Sequence, residues 1–363
     1  MPLTLTAGAA ALALVAAGCG SSNDNKSSGG GGGSSSTSAG KVAVLLPDSK
    51  SSVRWETVDR PFLKAAFDKA GISATIQNAE GDKSAQQQQA EQAITNGAKV
   101  LLLVNLDSGS GAAIEANAKS QGVKVIDYDR LTLKGTSDYY VSFDNEAVGK
   151  LQGQGLVSCL GNASKPAVAV LNGSPTDNNA TLFANGYNSV IGPKFKSGAW
   201  TKVDDQSVPD WDNQKALTIF EQMLQKSSNK VDGVLAANDG LGNAAISALK
   251  ARKLKQIPVT GQDATLQGIQ NIVNGDQCMT VYKAIQKEAD AAATLATSLA
   301  KGETPTGVTA SVDNQTRKVP AILLQPVAVT KDTIKQYLGA ADFPKKADIC
   351  AGKLASKCAA IGL

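Results

Sequence analysis

Three short polar fragments, Tyr128-Asp129-Arg130, Asn238-Asp239 and Gly261-Gln262-Asp263, each follow an apolar run that reads as a buried parallel strand: Val123–Asp127, Val231–Ala237 and Ile257–Thr260. In an open α/β sheet, ligands bind in the crevice beyond the carboxyl ends of the strands. Carboxylate, amide and guanidinium groups gathered there suit recognition of one polar small molecule. Each fragment also has a plainer use. Asn238-Asp239 can cap a helix beginning at Leu241, and Asp263 one beginning at Gln267. Capping and binding are compatible, so Asn238 is expected to bind while Asp239 caps or orients. For Arg130 with Asp129 the alternative is a surface ion pair of little energetic value. The chain has no histidine, which removes Ser-His-Asp and Cys-His catalysis, His-ligated metals and the commonest acid–base residue. Of the usual catalytic sets, paired carboxylates remain.

The elements that must position these fragments alternate along the chain. Lys41–Leu46 reads as a strand, Trp55–Ala70 as a helix stopped by Gly71, and Ile72–Gln77 as the next strand. Ser84 with Gln87 forms a capping-box pattern ahead of a helix that Asn96-Gly97 ends. Val100–Val104 is apolar at every position, as a strand buried on both faces requires. Gly111–Gln121 is helical. The alternation restarts after Asn145 with a helix to about Cys159, a strand at Ala167–Leu171 and a helix from Thr181 to Val190. It continues with a strand near Lys202–Asp205, a helix at Asn213–Gln225, the strand to Ala237 and a helix at Leu241–Lys250. A strand at Pro258–Gly261, a helix at Gln267–Asn274 and a strand at Met279–Tyr282 complete the run.

Repeated βαβ units predict an α/β fold of two Rossmann-like lobes with parallel sheets. The helix Ala284–Ala300 returns to the first lobe and a strand at Ile322–Val329 to the second, giving a multi-strand hinge. The lobes are predicted at 41–143 plus 284–316 and at 145–282 plus 317–340, with an added tail at 341–363.

Upstream of Lys41, Leu3 to Ala17 is apolar and small, about the length of a signal-peptide core and short for a membrane span. Ala16-Ala17-Gly18-Cys19 resembles the lipobox of bacterial lipoproteins, which implies cleavage after residue 18 and lipidation of Cys19. A plain secretory signal with an incidental Cys is the alternative. Residues 19–40, mostly Ser, Gly and Asn, read as a flexible tether. The remaining Cys159, Cys278, Cys350 and Cys358 permit two disulfides in any of three connectivities. The close spacing of Cys350 and Cys358 favours a local loop, leaving Cys159 with Cys278; free buried thiols are the alternative. A net charge of +4 without a dense basic run leaves no nucleic-acid footprint. There is no phosphate-loop motif and no Asp-x-Asp-x-Asp-Gly stretch, so neither ATP hydrolysis nor a structural calcium is expected, and no cofactor or metal is assigned.

Further stretches fall at compatible spacings on these elements: Arg54-Trp55, Asp59-Arg60, Ser142-Phe143-Asp144-Asn145, Gly173-Ser174-Pro175-Thr176-Asp177-Asn178-Asn179-Ala180 and Met279-Thr280-Val281-Tyr282-Lys283. Together with the three fragments above, the chain resembles the periplasmic sugar-binding proteins of ABC importers, the ribose/galactose/xylose group, over residues 41–340. The resemblance is strongest to the xylose-binding members. It implies the type I periplasmic binding protein fold and a monosaccharide ligand, D-xylose first, with ribose, arabinose and glucose as alternatives. By the same resemblance, Arg54, Asp129 and Arg130 reach the ligand from the first lobe, and Asn179, Asn238, Asp263 and Lys283 from the second lobe and hinge. Trp211 is expected to stack on one face of the sugar ring and Trp55 or Phe183 to close the other. For Trp55 and Phe183 core packing is the competing role, and for Lys283 a hinge role. Asn105 or Asp107 is a further, weaker candidate.

The implied mechanism is hinge closure around the sugar followed by docking of a monomer on a membrane permease, with no bond changed. Two other readings are carried. One is an exported glycosidase using carboxylates such as Asp129 and Asp263, and the other is a receptor that reports to a sensor protein.

Overall fold

The structure, a computed structural model, describes residues 40–363. The apolar leader, Cys19 and nearly all of the tether lie outside the described residues. The first run comprises β1 (Lys41–Leu46), α1 (Arg60–Ala70), β2 (Ala74–Asn78), α2 (Lys83–Thr95), β3 (Ala98–Leu103), α3 (Ser108–Ser120), β4 (Lys124–Tyr128) and β5 (Tyr139–Phe143). The second comprises α4 (Asn145–Leu160), β6 (Ala167–Asn172), α5 (Asn178–Lys196), β7 (Thr201–Ser207), α6 (Asn213–Lys226), β8 (Gly233–Ala236), α7 (Asp239–Ala251), α8 (Leu266–Asn274) and β9 (Met279–Tyr282). The chain then returns through α9 (Ile285–Ala300), β10 (Ala310–Asp313), β11 (Lys318–Leu324) and β12 (Val327–Thr330). It ends in the short helices α10 (Ile334–Tyr337), α11 (Lys346–Ile349) and α12 (Ala355–Ala360).

The first lobe is a sheet in the order β10-β11-β5-β4-β3-β1-β2, parallel except for the β10 edge. Its central strands β1 and β3 are apolar on both faces because α1 and α9 cover one side and α2 and α3 the other, and Val44, Leu45, Leu101 and Leu102 are fully buried. The second lobe holds the parallel order β7-β6-β8 and, at the hinge, the antiparallel pair β9–β12. Crossings between the lobes occur at Phe143–Asn145, Tyr282–Ile285 and Leu324–Val327. This is an α/β architecture of two parallel-sheet lobes joined by a multi-strand hinge.

Several local expectations are corrected. The single strand Ile322–Val329 is two strands broken at Gln325-Pro326. Its first part, β11, pairs with β5 in the first lobe, so residues 318–324 do not belong to the second. Proline has no N–H to donate to a ladder, so the break frees the chain to change sheets. The strand at Pro258–Gly261 reduces to one bridge between Val234 and Val259. Beyond it the Thr260 hydroxyl, not its backbone, bonds the Ala236 N–H and carbonyl, which ends the ladder. The cap of α2 is Asp82, which accepts from the backbone of Ser84 and Ala85; Ser84 does not cap it. Strand β5, which has no counterpart among the expected strands, carries Tyr140 and Ser142 in a buried setting. Its polar side chains are consumed by the cleft.

The four cysteines form Cys159–Cys278, linking the end of α4 to the entry of β9, and Cys350–Cys358 within the tail.

Candidate functional site

After β1 the chain enters a π-helical turn at Trp55–Asp59, a form common at functional sites. It sets Arg54 beneath the cleft. The guanidinium of Arg54 donates to both oxygens of Asp59 (2.8 and 2.7 Å), to Asp129 Oδ2 (2.8 Å) and to Glu288 Oε2 on α9 (3.0 Å). It also lies 4.4 Å from the centre of the Trp55 ring, with the Arg130 guanidinium 5.5 Å from the same ring. One cation among three buried carboxylates leaves acceptor capacity in excess. Asp129 has φ +63°, a backbone state that non-glycine residues rarely hold unless neighbours enforce it. Here Tyr140 and Ser142 hydroxyls and the Asn179 amide all donate to the Asp129 carbonyl, at 3.0, 2.9 and 2.9 Å.

The facing wall comes from the second lobe. Asp177 caps α5 through the Asn179 N–H (2.9 Å) and accepts from Trp211 Nε1 (3.1 Å). It also meets Arg130 Nε across the cleft at 3.1 Å. Asn179 Nδ2 crosses as well, reaching Asp129 Oδ1 at 3.2 Å. These bonds join the lobes, so this is the closed arrangement. Trp211 follows a tight turn with φ +56° and sits edge-on to Phe183 with ring centres 6.3 Å apart. Asn238 caps α7 through the Leu241 N–H (2.9 Å). Asp239 beside it is fully buried and ties down the loop ahead of α8, accepting from Thr265, Gln277 and Thr280. The helix α8 is capped by Thr265 and not by Asp263. Lys283, in the second crossing, lies 3.3 Å from Asp263 and 3.9 Å from Asp129. Its ammonium stands 5.9 Å from the Phe143 ring centre and 6.0 Å from that of Phe183.

Arg54, Trp55, Asp129, Arg130, Asn179, Phe183, Trp211, Asn238, Asp263 and Lys283 line one cavity with Ser51, Ser52, Asp177 and Gln262. Asn105 and Asp107 do not reach it: Asn105 bonds the Arg130 carbonyl and Thr132, while Asp107 caps α3 and pairs with Lys83. Two buried acceptors of the cavity-lining residues make no hydrogen bond within the protein: Gln262 Oε1, and Asp263 Oδ1, which has only the Lys283 ammonium 3.3 Å away. Buried polar atoms are normally partnered, and an exception asks for a ligand or water. Burial pushes the Asp129 carboxyl upward, but Arg54, Lys283 and Arg130 outweigh it and hold the group below the usual carboxylate range. Glu288 goes the other way, raised by burial and by the charge of Asp129.

A family described as periplasmic binding protein domain matches residues 42–304. The D-xylose-binding periplasmic protein of Haemophilus influenzae is 41% identical over 286 residues, covering 78% of this chain and 84% of that protein. The chain belongs to the periplasmic binding protein family. The D-xylose-binding periplasmic protein of Escherichia coli is 36% identical over 310 residues, 85% of this chain and 92% of that one. Among solved structures, a carbohydrate transporter solute-binding protein from Chloroflexus aurantiacus in complex with D-glucose superposes with a TM-score of 0.77 at 30% identity, covering 84% of this chain and 98% of that one.

In this periplasmic binding protein the cleft offers fixed donors and acceptors between aromatic walls. Sequence reasoning passed over Ser51, Ser52, Asp177 and Gln262 as site residues. Asp177 and Gln262 were visible inside the polar stretches that carry the resemblance; Ser51 and Ser52, in a Ser-rich loop, gave no signal. Asp59 and Glu288, which hold Arg54, lie 5 and 234 residues from it along the chain. Nothing local marks the more distant partner.

Proposed function

We propose that the protein captures a single monosaccharide, D-xylose in the first instance, between its lobes and delivers it to an ABC permease without chemical change. The observation that carries the reading is a cavity with three cations and aromatic walls in which Gln262 Oε1 is buried without a hydrogen-bond donor and Asp263 Oδ1 has only the Lys283 ammonium, 3.3 Å away. A sugar rim supplies hydroxyls to such acceptors and its C–H faces suit Trp55, Phe183 and Trp211. The names of the relatives support the same ligand class. A glycosidase needs one carboxyl raised to act as acid. Asp129, the candidate at the cleft floor, is held ionised by its cations and so does not supply that acid.

Closure follows from contacts that a ligand spanning both lobes gains only in the closed arrangement. The leader ending just before Cys19 fits delivery to the outer face of the membrane as a lipoprotein, which would keep a monomeric receptor near its permease.

Isothermal titration of residues 40–363 against D-xylose, D-glucose, D-ribose and L-arabinose tests the reading. One-to-one binding of xylose in preference to the others is expected. Preference for glucose keeps the importer and changes the ligand, and silence toward all four sinks the sugar site.

A further inference from the structure

Residues beyond Ala340 fold back over the second lobe at the hinge. The Cys350–Cys358 bridge closes α11 and α12 into one unit, and Ile349 and Cys358 are buried in a cluster with Ile269 and Ile272 of α8. Gln270 donates to the Asp348 carbonyl (2.9 Å) and Lys357 to Asn274 Oδ1 (2.6 Å). Phe343 packs on Tyr282 with ring centres 5.3 Å apart.

This packing delivers Asp342 to the second crossing. The Tyr282 hydroxyl, at the end of β9, donates to Asp342 Oδ1. The backbone N–H of Gln286, in the first turn of α9, donates to Oδ2 at 3.1 Å. Helix N-termini leave N–H groups unpaired and favour a negative charge. α9 has no cap of its own, because Ala284 occupies the cap position and offers no side-chain acceptor. Asp342 supplies that acceptor from a remote part of the chain. Strand β9 belongs to the second lobe and α9 packs on α1 and β3 in the first. A single carboxylate thus grips both ends of a crossing, and Lys283 lies between the two grips.

We propose that Asp342 is a positioning residue for the cleft: the disulfide-closed tail holds the Tyr282–Gln286 crossing in the register that places Lys283 between Asp129 and Asp263. The inference rests on the cleft being the ligand site, and it acts through Lys283 without contact between Asp342 and the ligand.

The test is a double-mutant cycle of Asp342→Ala, Lys283→Ala and both. Xylose binding is read by titration, and hydrogen exchange of residues 280–288 and urea midpoints are read alongside. Asp342→Ala is expected to weaken binding about tenfold, Lys283→Ala more, and the double variant no further than Lys283→Ala, with exchange at 283–288 faster in Asp342→Ala. Asp342→Glu should recover part of the affinity. Independent, additive losses, or wild-type binding by Asp342→Ala, overturn the proposal. Should the unmutated protein bind no sugar, the ligand reading fails on its own, and the exchange arm still judges the clamp. Unchanged exchange at 283–288 then overturns it.

Discussion

At the scale of single residues, the cleft is dominated by a surplus of acceptors around fixed cations. Asp263 is the sharpest case, since its Oδ1 makes no hydrogen bond and has only the Lys283 ammonium beside it, at 3.3 Å. A hydrogen bond to a charged group contributes about 1.5–3 kcal/mol. Asp263→Ala is therefore expected to raise the Kd for the preferred sugar by about 10- to 150-fold in titration calorimetry. An unchanged Kd would remove Asp263 from the site. Gly173 makes a second prediction. A Cβ there would overlap the Trp211 ring, which is pinned at Nε1 by Asp177 and cannot swing freely aside. Gly173→Ala should displace that aromatic wall and weaken sugar binding at least about tenfold, an effect readable in Trp fluorescence titrations. Tight binding with an unperturbed spectrum would mean the ring has room to spare.

At the scale of elements, the cleft depends on how closely α4 and α5 meet. Gly149 on α4 faces the backbone of Phe183, and Gly186 on α5 faces the backbone of Glu146, so a Cβ at either would overlap main chain. Phe183 lines the cavity one turn from Asn179. Backbone yields less readily than a side-chain tip, and overpacking of this kind costs about 1–3 kcal/mol. Gly149→Ala should lower the urea midpoint correspondingly and also weaken sugar binding, because Phe183 must move. A variant of wild-type stability would show that the helices can part without strain. The same element explains why Asp177 escaped notice: it looks like an ordinary N-cap of α5, and its second partner, Arg130, lies in the other lobe.

At the scale of the whole molecule, buried carboxyls give stability a pH profile. Burial pushes Asp239 up to about 7 against the pull of Gln277, with the charge of Asp263 adding to the rise. Burial and Glu115 raise Asp127 well above its ordinary value, and burial and Asp129 do the same to Glu288. Each holds its proton more tightly folded than unfolded. Their stabilisation is therefore full below the unfolded value of about 4 and is lost as pH rises toward the folded value, near 7 for Asp239. Asp129 has the opposite sign, its cations overriding burial, so its contribution is lost as pH falls below about 4. The urea midpoint is thus expected to be higher at pH 5 than at pH 8, and to fall again under stronger acid. A midpoint that climbs from pH 5 to pH 8 would mean these carboxyls ionise freely in the folded protein.

The sequence by itself determined the two runs of βαβ units, because apolar runs of strand length alternate with helical spacing and leave few other ways to bury them. It also placed Tyr128-Asp129-Arg130 and Asn238-Asp239 at strand ends, and Gly261-Gln262-Asp263 just beyond the bridge at Val259, since that position depends only on local order. Tertiary structure alone decided which partners these groups have. Arg54 meets Glu288 from α9, Arg130 meets Asp177 across the cleft, and Asp342 reaches Gln286 from the tail. It also decided where the chain changes lobe, sending β11 to the first sheet and β12 to the second. Those outcomes turn on contacts between residues far apart along the chain, and no local pattern of spacing or propensity encodes which distant side chain will stand opposite.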